Sequence, residues 1–120
     1  MIERIQPNCG DETCPSCVVA GDYIFLAHHG GGLDVKEIKH QARAIFESVK
    51  QTLASAGATL DDMVQIQLYL KSTEDFDGAR EVFFEYFKDG FPARMTVITE
   101  FLDDNIVCQM TGIAYKPEER

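Results

Sequence analysis

The sequence is poor in basic residues and has no long hydrophobic run. Eleven Lys and Arg stand against 20 Asp and Glu, which gives a formal net charge of −9. Phosphate-driven binding needs a clustered positive surface, so this charge argues against nucleic-acid partners and against anionic membranes. No apolar run approaches the ~20 residues of a membrane span, and residues 1–8 lack the apolar core of a signal peptide. We therefore expect a cytoplasmic protein.

Length and composition indicate one soluble globular domain that spans residues 1–120. The chain is 45% apolar and 26% charged, which is the mixture of an ordinary globular protein. It shows no linker, no internal repeat and no low-complexity segment. A chain of this size buries roughly two-thirds of the surface that its unfolded form exposes, so its core requires no disulfide or metal.

The first third of the chain predicts three strands and the start of a long helix. A strand is predicted over residues 2–6, and a hairpin joins residues 17–20 to residues 23–27 across a Gly-Asp turn. Apolar residues then recur at intervals of three and four, which is typical of an amphipathic helix. Asp34 is its predicted N-cap, with Glu37 in the capping-box position.

The remaining elements alternate between strand and helix. The helix ends near Gly57, and a second helix covers residues 76–87. Between them, residues 63–70 form a strand whose apolar face carries Val64, Ile66, Leu68 and Leu70. Strands over residues 93–99 and 106–115 complete the chain. The order β-β-β-α-β-α-β-β predicts an α+β fold with two helices on one face of a mostly antiparallel sheet.

Two helices cover only one side of such a sheet, and its other side is not cleanly polar. Apolar side chains that cannot all lie beneath the helices are Met63, Tyr69, Ile98, Val107 and Ile113. An oligomer would hide this surface.

Several segments resemble one known family. The long helix ends in Ala-Gly, and the run Phe-Pro-Ala-Arg at residues 91–94 lies between an aromatic helix and a β-branched strand. Over residues 17–115 the pattern resembles the Rid family, the YjgF-like reactive intermediate deaminases. The Phe-Pro-Ala-Arg run is the most specific part of this likeness.

The resemblance implies a fold, an assembly and an activity. Rid proteins have a chorismate-mutase-like fold and form homotrimers whose sheets line a central barrel, with ligand clefts between subunits. The best-known members hydrolyse 2-imino and 2-enamino acids to 2-keto acids and ammonia without a cofactor or metal. We therefore expect a small carboxylate as the ligand and a second and third copy of the chain as partners.

Two positions carry the chemistry that the resemblance implies. Arg94 matches the family arginine, whose planar guanidinium binds a carboxylate through two hydrogen bonds. Active deaminases carry a glutamate 15 residues later that positions the attacking water, and that position is Gln109 here. A glutamine can orient a water but cannot accept its proton.

Other family positions have also changed. The serine of the family's turn aligns with Ala27, the cysteine after the arginine with Thr96, and the helix asparagine with Arg80. A cleft tyrosine aligns near Ser16. The resemblance thus predicts Arg94, Ala27 and Thr96 as substrate-binding residues in a divergent subgroup.

The paired histidines His28 and His29 adjoin the predicted turn. One of them could supply the missing acid or base, because histidine titrates near neutrality, or both could be exposed loop residues. We predict His28 and Gln109 as catalytic residues, with the choice between the two histidines open.

The cysteines near the N-terminus admit three interpretations: free thiols, a disulfide or a metal site. Cys14 and Cys17 have CxxC spacing, and Cys9 lies nearby. Alternation along the hairpin places Cys14 and His29 on one face and Cys17 and His28 on the other. A single tetrahedral site then requires the chain to leave the ladder before Cys17, so we predict no metal.

Two functions follow from these features. The first is a trimer that binds small carboxylates and hydrolyses imines. The second is a non-catalytic binding or sensor trimer, which the replacement of the family glutamate by Gln109 favours. A ribonuclease role, attached to some relatives, is opposed by the net charge of −9.

Overall fold

Strands and helices follow one another in the predicted order in a computed structural model, which describes residues 2–6 and 11–117. Short 3-10 turns precede the fourth strand and the second helix. The elements are β1 (Ile2–Ile5), β2 (Cys17–Ala20), β3 (Tyr23–His29), α1 (Ile38–Ser55), β4 (Met63–Leu70), α2 (Phe76–Tyr86), β5 (Ala93–Ile98) and β6 (Cys108–Tyr115).

The described strands form a single six-stranded sheet in the order β1-β2-β3-β6-β4-β5. Four of its five pairings are antiparallel, and only β4 and β5 run parallel. Parallel neighbours need a crossover connection, and α2 supplies it. The predicted hairpin register is confirmed, with Ala20 opposite Tyr23 and Cys17 opposite Leu26.

The first helix begins later than the sequence pattern predicts. Glu37, not Asp34, is its N-cap, and the Glu37 carboxylate accepts hydrogen bonds from the backbone N–H groups of Lys39 and His40. Asp34 instead contacts the His40 ring at 3.0 Å. Two acceptor oxygens on one cap satisfy two of the helix's unpaired N–H groups, which explains why the helix starts at Ile38.

The two helices pack on one face of the sheet and form the core with it. Phe46 of α1 lies 5.2 Å from Phe83 of α2 between ring centroids, in an edge-to-face contact. The alternation predicted for β4 fails at the start of the strand, because a bulge between Met63 and Gln65 shifts its register against β6. Met63 is therefore buried and Val64 is exposed, the reverse of the prediction for these two residues.

The face of the sheet opposite the helices stays uncovered in the single chain. Met63 and Val107 belong to the core, and Ile98 of β5 is level with the buried Leu70 on the helix side. These three residues do not contribute to the uncovered face, which corrects part of the expectation. The exposed aromatic side chains of Tyr23, Phe25 and Tyr115 lie together at its β3–β6 end, with the Tyr23 and Tyr115 centroids 5.3 Å apart. We refer to this surface as the open face.

A buried glutamine ties α1 to the start of β6. Gln41 is fully buried, and its Nε2 donates to the carbonyls of Val35 and Asn105 at 3.2 and 2.7 Å. Its Oε1 accepts from the N–H of Val107 at 2.9 Å. These bonds hold the residues that lead into β6. Neither helix in the described part of the chain is long and apolar enough to cross a membrane.

Gly112 allows the two central strands to approach each other beside the bulge. A methyl group at Gly112 would meet the backbone oxygen of Gln65 at less than van der Waals distance, and the Met63 methyl at 2.6 Å. We expect Gly112→Ala to lower the free energy of unfolding by about 1–3 kcal/mol, because the backbone must move. Urea denaturation measures this loss.

Gly30→Ala provides the control for this substitution. Its added methyl would meet Gln109 Nε2 at 3.7 Å, an ordinary contact, so its stability should stay close to that of the wild type. Equal stability of the Gly112 and Gly30 variants would contradict the close approach.

Candidate active site

A bulge at the end of β3 decides which histidine faces the core. The register of β3 against β6 shifts between Leu26 and His29, so both of these residues face the helices. His28 is exposed on the other side. The predicted alternation, which grouped His28 with the buried Cys17, is therefore wrong at this position.

His29 is a structural residue with both ring nitrogens engaged. Its Nδ1 donates to the carbonyl of Ala27 at 2.8 Å, so the neutral ring accepts from the hydroxyl of Thr52 at Nε2, also at 2.8 Å. Burial lowers the pKa of His29 by disfavouring the charged ring. The open choice between the two histidines thus favours His28 for contact with a ligand.

The bulge also shapes a cleft of about 320 Å³ beyond the end of β3. We call it the hairpin cleft, and its lining includes Ser16, Ala27, His28, Gly30 and Gln109. Three positions that the family resemblance singled out, near the tyrosine, serine and glutamate of active members, thus lie around one hollow. Gly30 lies beside the Gln109 amide, 3.7 Å from its Nε2 when measured from the position that a Cβ would take.

A second hollow of about 310 Å³ adjoins the hairpin cleft on the open face. His28 and Gln109 line both, and the second hollow is completed by Tyr69, Thr99, Glu100, Phe101 and Thr111. We call it the adjoining hollow. The sequence did not indicate Tyr69 or Glu100, because their proximity to Gln109 arises only from the pairing of β4 with β6 and no local motif marks it.

Arg94 and Thr96 lie at the other edge of the sheet, on the helix side. The guanidinium carbon of Arg94 is 5.1 Å from the ring centroid of Phe76 and 5.4 Å from that of Phe83. Arg94 Nε donates to Thr96 Oγ1 at 3.2 Å. Among the residues that the structure describes, no carboxylate pairs with Arg94.

One chain does not bring Arg94 and Gln109 together. Arg94 is level with Ile66 of β4, which faces the helices, whereas Gln109 is level with Tyr69, which faces the open side. The predicted site residues therefore fall into two groups on opposite faces of one sheet. Ala27, His28 and Gln109 form one group, and Arg94 with Thr96 forms the other.

The cysteines do not assemble into a site in the described part of the chain. Cys14, Cys17 and Cys108 are free thiols, and β2 begins at Cys17, so Cys14 lies outside the ladder. Burial raises the pKa of Cys17 and raises that of Cys108 to about 12, so neither is a thiolate at neutral pH. No described group of His, Cys, Asp or Glu could hold a metal ion. Cys9 lies outside the described residues.

Comparison with known proteins agrees with this architecture. Residues 15–116 match the family model for Endoribonuclease L-PSP. A RutC family protein of Pyrococcus abyssi is 35% identical over 105 residues, which cover 82% of this chain and 83% of that protein. The chain belongs to the YjgF/Rid family. This confirms the resemblance that the Phe-Pro-Ala-Arg run indicated.

Two further relatives extend the comparison. A YjgF-family protein of Streptococcus pyogenes superposes with a TM-score of 0.88, at 27% identity over 98% of both chains, which confirms the YjgF-like fold. A 2-iminobutanoate/2-iminopropanoate deaminase of Dermatophagoides farinae is 29% identical over 76 residues, or 63% of this chain and 59% of that enzyme.

The buried, neutral His29 predicts a specific loss of stability in acid. Its pKa is lower in the folded chain than in the unfolded chain, where it is about 6.5. Below that pH the unfolded state binds the additional proton, so stability falls as the pH drops from 7 to 5. His29→Gln removes this group and should show a smaller loss in urea denaturation at the two pH values.

His28→Gln is the matched control, because its ring is exposed. It should keep most of the wild-type loss between pH 7 and pH 5. If His29→Gln has the same pH dependence as the wild type, His29 does not fold in its neutral form.

Proposed function

We propose that this protein is a homotrimer that binds small 2-imino or 2-enamino carboxylates and hydrolyses them to 2-keto acids and ammonia. The observation that carries the proposal is the guanidinium of Arg94, exposed and without a carboxylate partner among the described residues. Arg4 and Arg80 also have no carboxylate partner in the described part of the chain, and Arg94 differs from them in its contacts with two aromatic rings and Thr96.

The setting of Arg94 suits a carboxylate ligand. The aromatic rings of Phe76 and Phe83 make cation–π contacts with the guanidinium, and Thr96 Oγ1 accepts a hydrogen bond from its Nε–H. The two terminal nitrogens are then available for the parallel hydrogen bonds that a carboxylate accepts. Supports of this kind hold the guanidinium in one orientation before the ligand arrives, which lowers the entropy cost of binding.

The division of the site between two faces supports assembly into a trimer. Arg94 and Gln109 lie on opposite faces of one sheet, so a single chain offers two halves of a site. A second copy that packs against the open face would set the Arg94 of one chain near the Gln109 of the next. The same packing would cover Phe25 and Tyr115, which are 44% and 42% exposed in one chain.

The first requirement of the reaction is that the protein position the imine and a water molecule. Water adds to the carbon of the C=N bond, the nitrogen takes a proton, and the carbinolamine expels ammonia as its C–O bond becomes a carbonyl. Holding the carboxylate at Arg94 and a water at the amide of Gln109 would bring the reacting atoms together. His28 lines the same cleft, which supports a hydrogen bond from His28 to that water.

The deaminase named among the relatives supports this reaction class. The family model that matches carries the description of an endoribonuclease. A net charge of −9 opposes RNA as a substrate, because RNA binding depends on neutralising phosphates.

A second candidate function is carboxylate binding without turnover. The specific observation in its favour is Gln109, which stands where active members have a glutamate and cannot accept a proton. Thermal shifts with keto and amino acids, in the absence of keto-acid release, would identify this function.

Arg94→Ala should abolish carboxylate recognition. We expect kcat/KM for 2-iminopropionate, generated in the assay by an amino-acid oxidase, to fall about 100-fold, since a hydrogen-bonded charge pair contributes about 1.5–3 kcal/mol. Arg94→Lys should recover only part of the loss, because an ammonium cannot make the two parallel bonds. Keto-acid release measures all three proteins.

Arg43→Ala is the control for the loss of one arginine. Arg43 is paired with Glu85 at 2.8 Å on the helical surface, so its removal should leave turnover unchanged. Wild-type release at the rate of buffer alone, for several imino acids, would refute the hydrolase.

Met95→Asp tests the assembly. Met95 of β5 is 59% exposed and lies opposite Gln67 of β4. In a trimer, a carboxylate at this position would be buried without a partner. In sedimentation equilibrium the wild type should have about three times the 13.5 kDa mass of one chain, and the variant should dissociate and lose turnover. Val35→Asp, in the loop before α1, should stay trimeric. A wild-type monomer would refute the assembly.

A further inference from the structure

One acidic side chain lines the adjoining hollow, and the function proposed above leaves it without a role. Glu100 lies two residues beyond the end of β5, and the hollow that it lines is bounded on its other side by Gln109 and His28. It is the only Asp or Glu among the described residues that line this hollow. The sequence offers no motif that marks it.

Backbone pairing fixes the position of Glu100 relative to Gln109. The N–H of Thr99 donates to the carbonyl of Leu70 at 2.9 Å, which extends the β4–β5 pairing one residue past Ile98. On the other edge of β4, Gln109 pairs with Tyr69. Glu100 follows Thr99 directly, so its backbone lies beside the end of β4 that Gln109 also flanks, and both residues line the adjoining hollow.

The carboxylate of Glu100 has no competing partner in the described part of the chain: it takes part in no ion pair and accepts no hydrogen bond there. The acid that lines the hairpin cleft differs in this respect. Asp11 accepts from the N–H and the hydroxyl of Thr13, at 2.9 and 2.7 Å. Glu100 is thus the acid beside Gln109 whose oxygens are available to a substrate.

The reaction needs a proton acceptor that Gln109 cannot be. When water adds to a protonated imine, the new C–O bond takes an electron pair from water and the π electrons of the C=N bond move to nitrogen. One proton must leave the water oxygen. A carboxylate also attracts the positive iminium nitrogen, whereas a neutral imidazole carries no charge to do so.

We propose that Glu100 is the general base of this site and takes over the role of the glutamate that Gln109 replaces. The inference rests on the proposed hydrolase function. Gln109 orients the water, and the Glu100 carboxylate takes the proton from it as the C–O bond forms. The protonated Glu100 then gives that proton to the amino nitrogen of the carbinolamine. Ammonia departs as the C–N bond breaks, and the remaining hydroxyl proton passes to solvent, which leaves the 2-keto acid.

Glu100→Gln tests the role while keeping the size of the side chain. We expect kcat for 2-iminopropionate to fall at least 100-fold with KM little changed, in the range of general acid–base catalysis. The fall of kcat/KM on the acid side of the wild-type pH profile should also disappear. Because Glu100 is exposed, the variant should keep the wild-type melting temperature and mass.

Asp104→Asn removes one negative charge from the same loop and serves as the control. Asp104 is fully exposed and lies outside the adjoining hollow, so its activity should match the wild type. The second variant, Glu100→Gln combined with Gln109→Glu, restores a carboxylate on the opposite side of the hollow. The kcat of this double variant should be at least tenfold higher than that of Glu100→Gln alone.

The outcomes separate this inference from the proposed function. An active wild type with an equally active Glu100→Gln variant overturns the role of Glu100 alone, as does a loss of activity confined to His28→Gln. A wild type without turnover on any imino acid overturns the hydrolase and the general base together. A loss in Glu100→Gln without rescue by Gln109→Glu and with an unchanged pH profile assigns Glu100 to substrate binding and overturns the general-base role.

Discussion

The fold depends on β6, which is the last strand in the sequence and is paired along both edges. Its neighbours are β3 on one side and β4 on the other, so it joins the N-terminal hairpin to the β4-α2-β5 unit. Gly112 lets β4 approach, and Gln41 holds the residues that lead into the strand. Without β6 the sheet would consist of two separate pieces, β1-β2-β3 and β4-β5.

The double pairing of β6 also organises the candidate site. Because β6 lies between β3 and β4, Gln109 is next to the bulge of β3 on one side and the end of β4 on the other. The hairpin cleft and the adjoining hollow share a wall for this reason. Arg94 is separated from them by the thickness of the sheet, and it is held by aromatic rings of α2. A ligand that needs both regions needs a second copy of the chain.

Most elements of the fold follow from local patterns. Turn residues and apolar periods predict all six strands and both helices, and the hairpin register comes from its Gly-Asp turn. Two of the three errors share one cause. Glu37 rather than Asp34 caps α1, Met63 rather than Val64 is buried, and His29 rather than His28 faces the helices. At the two bulges, a one-residue shift exchanges the faces of neighbouring side chains, and only the pairing with the partner strand shows that shift.

The sequence by itself determined the class of fold, the family and the acidic charge, and it singled out Arg94 as a candidate carboxylate-binding residue. It did so because periodicity, turn chemistry and the Phe-Pro-Ala-Arg run are local properties of the chain. The tertiary structure decided which histidine is buried, that Arg94 packs against aromatic rings with no carboxylate partner among the described residues, and that Glu100 and Gln109 line one hollow. These are contacts between residues distant in sequence, and only the pairing and bulges of the folded strands bring them together.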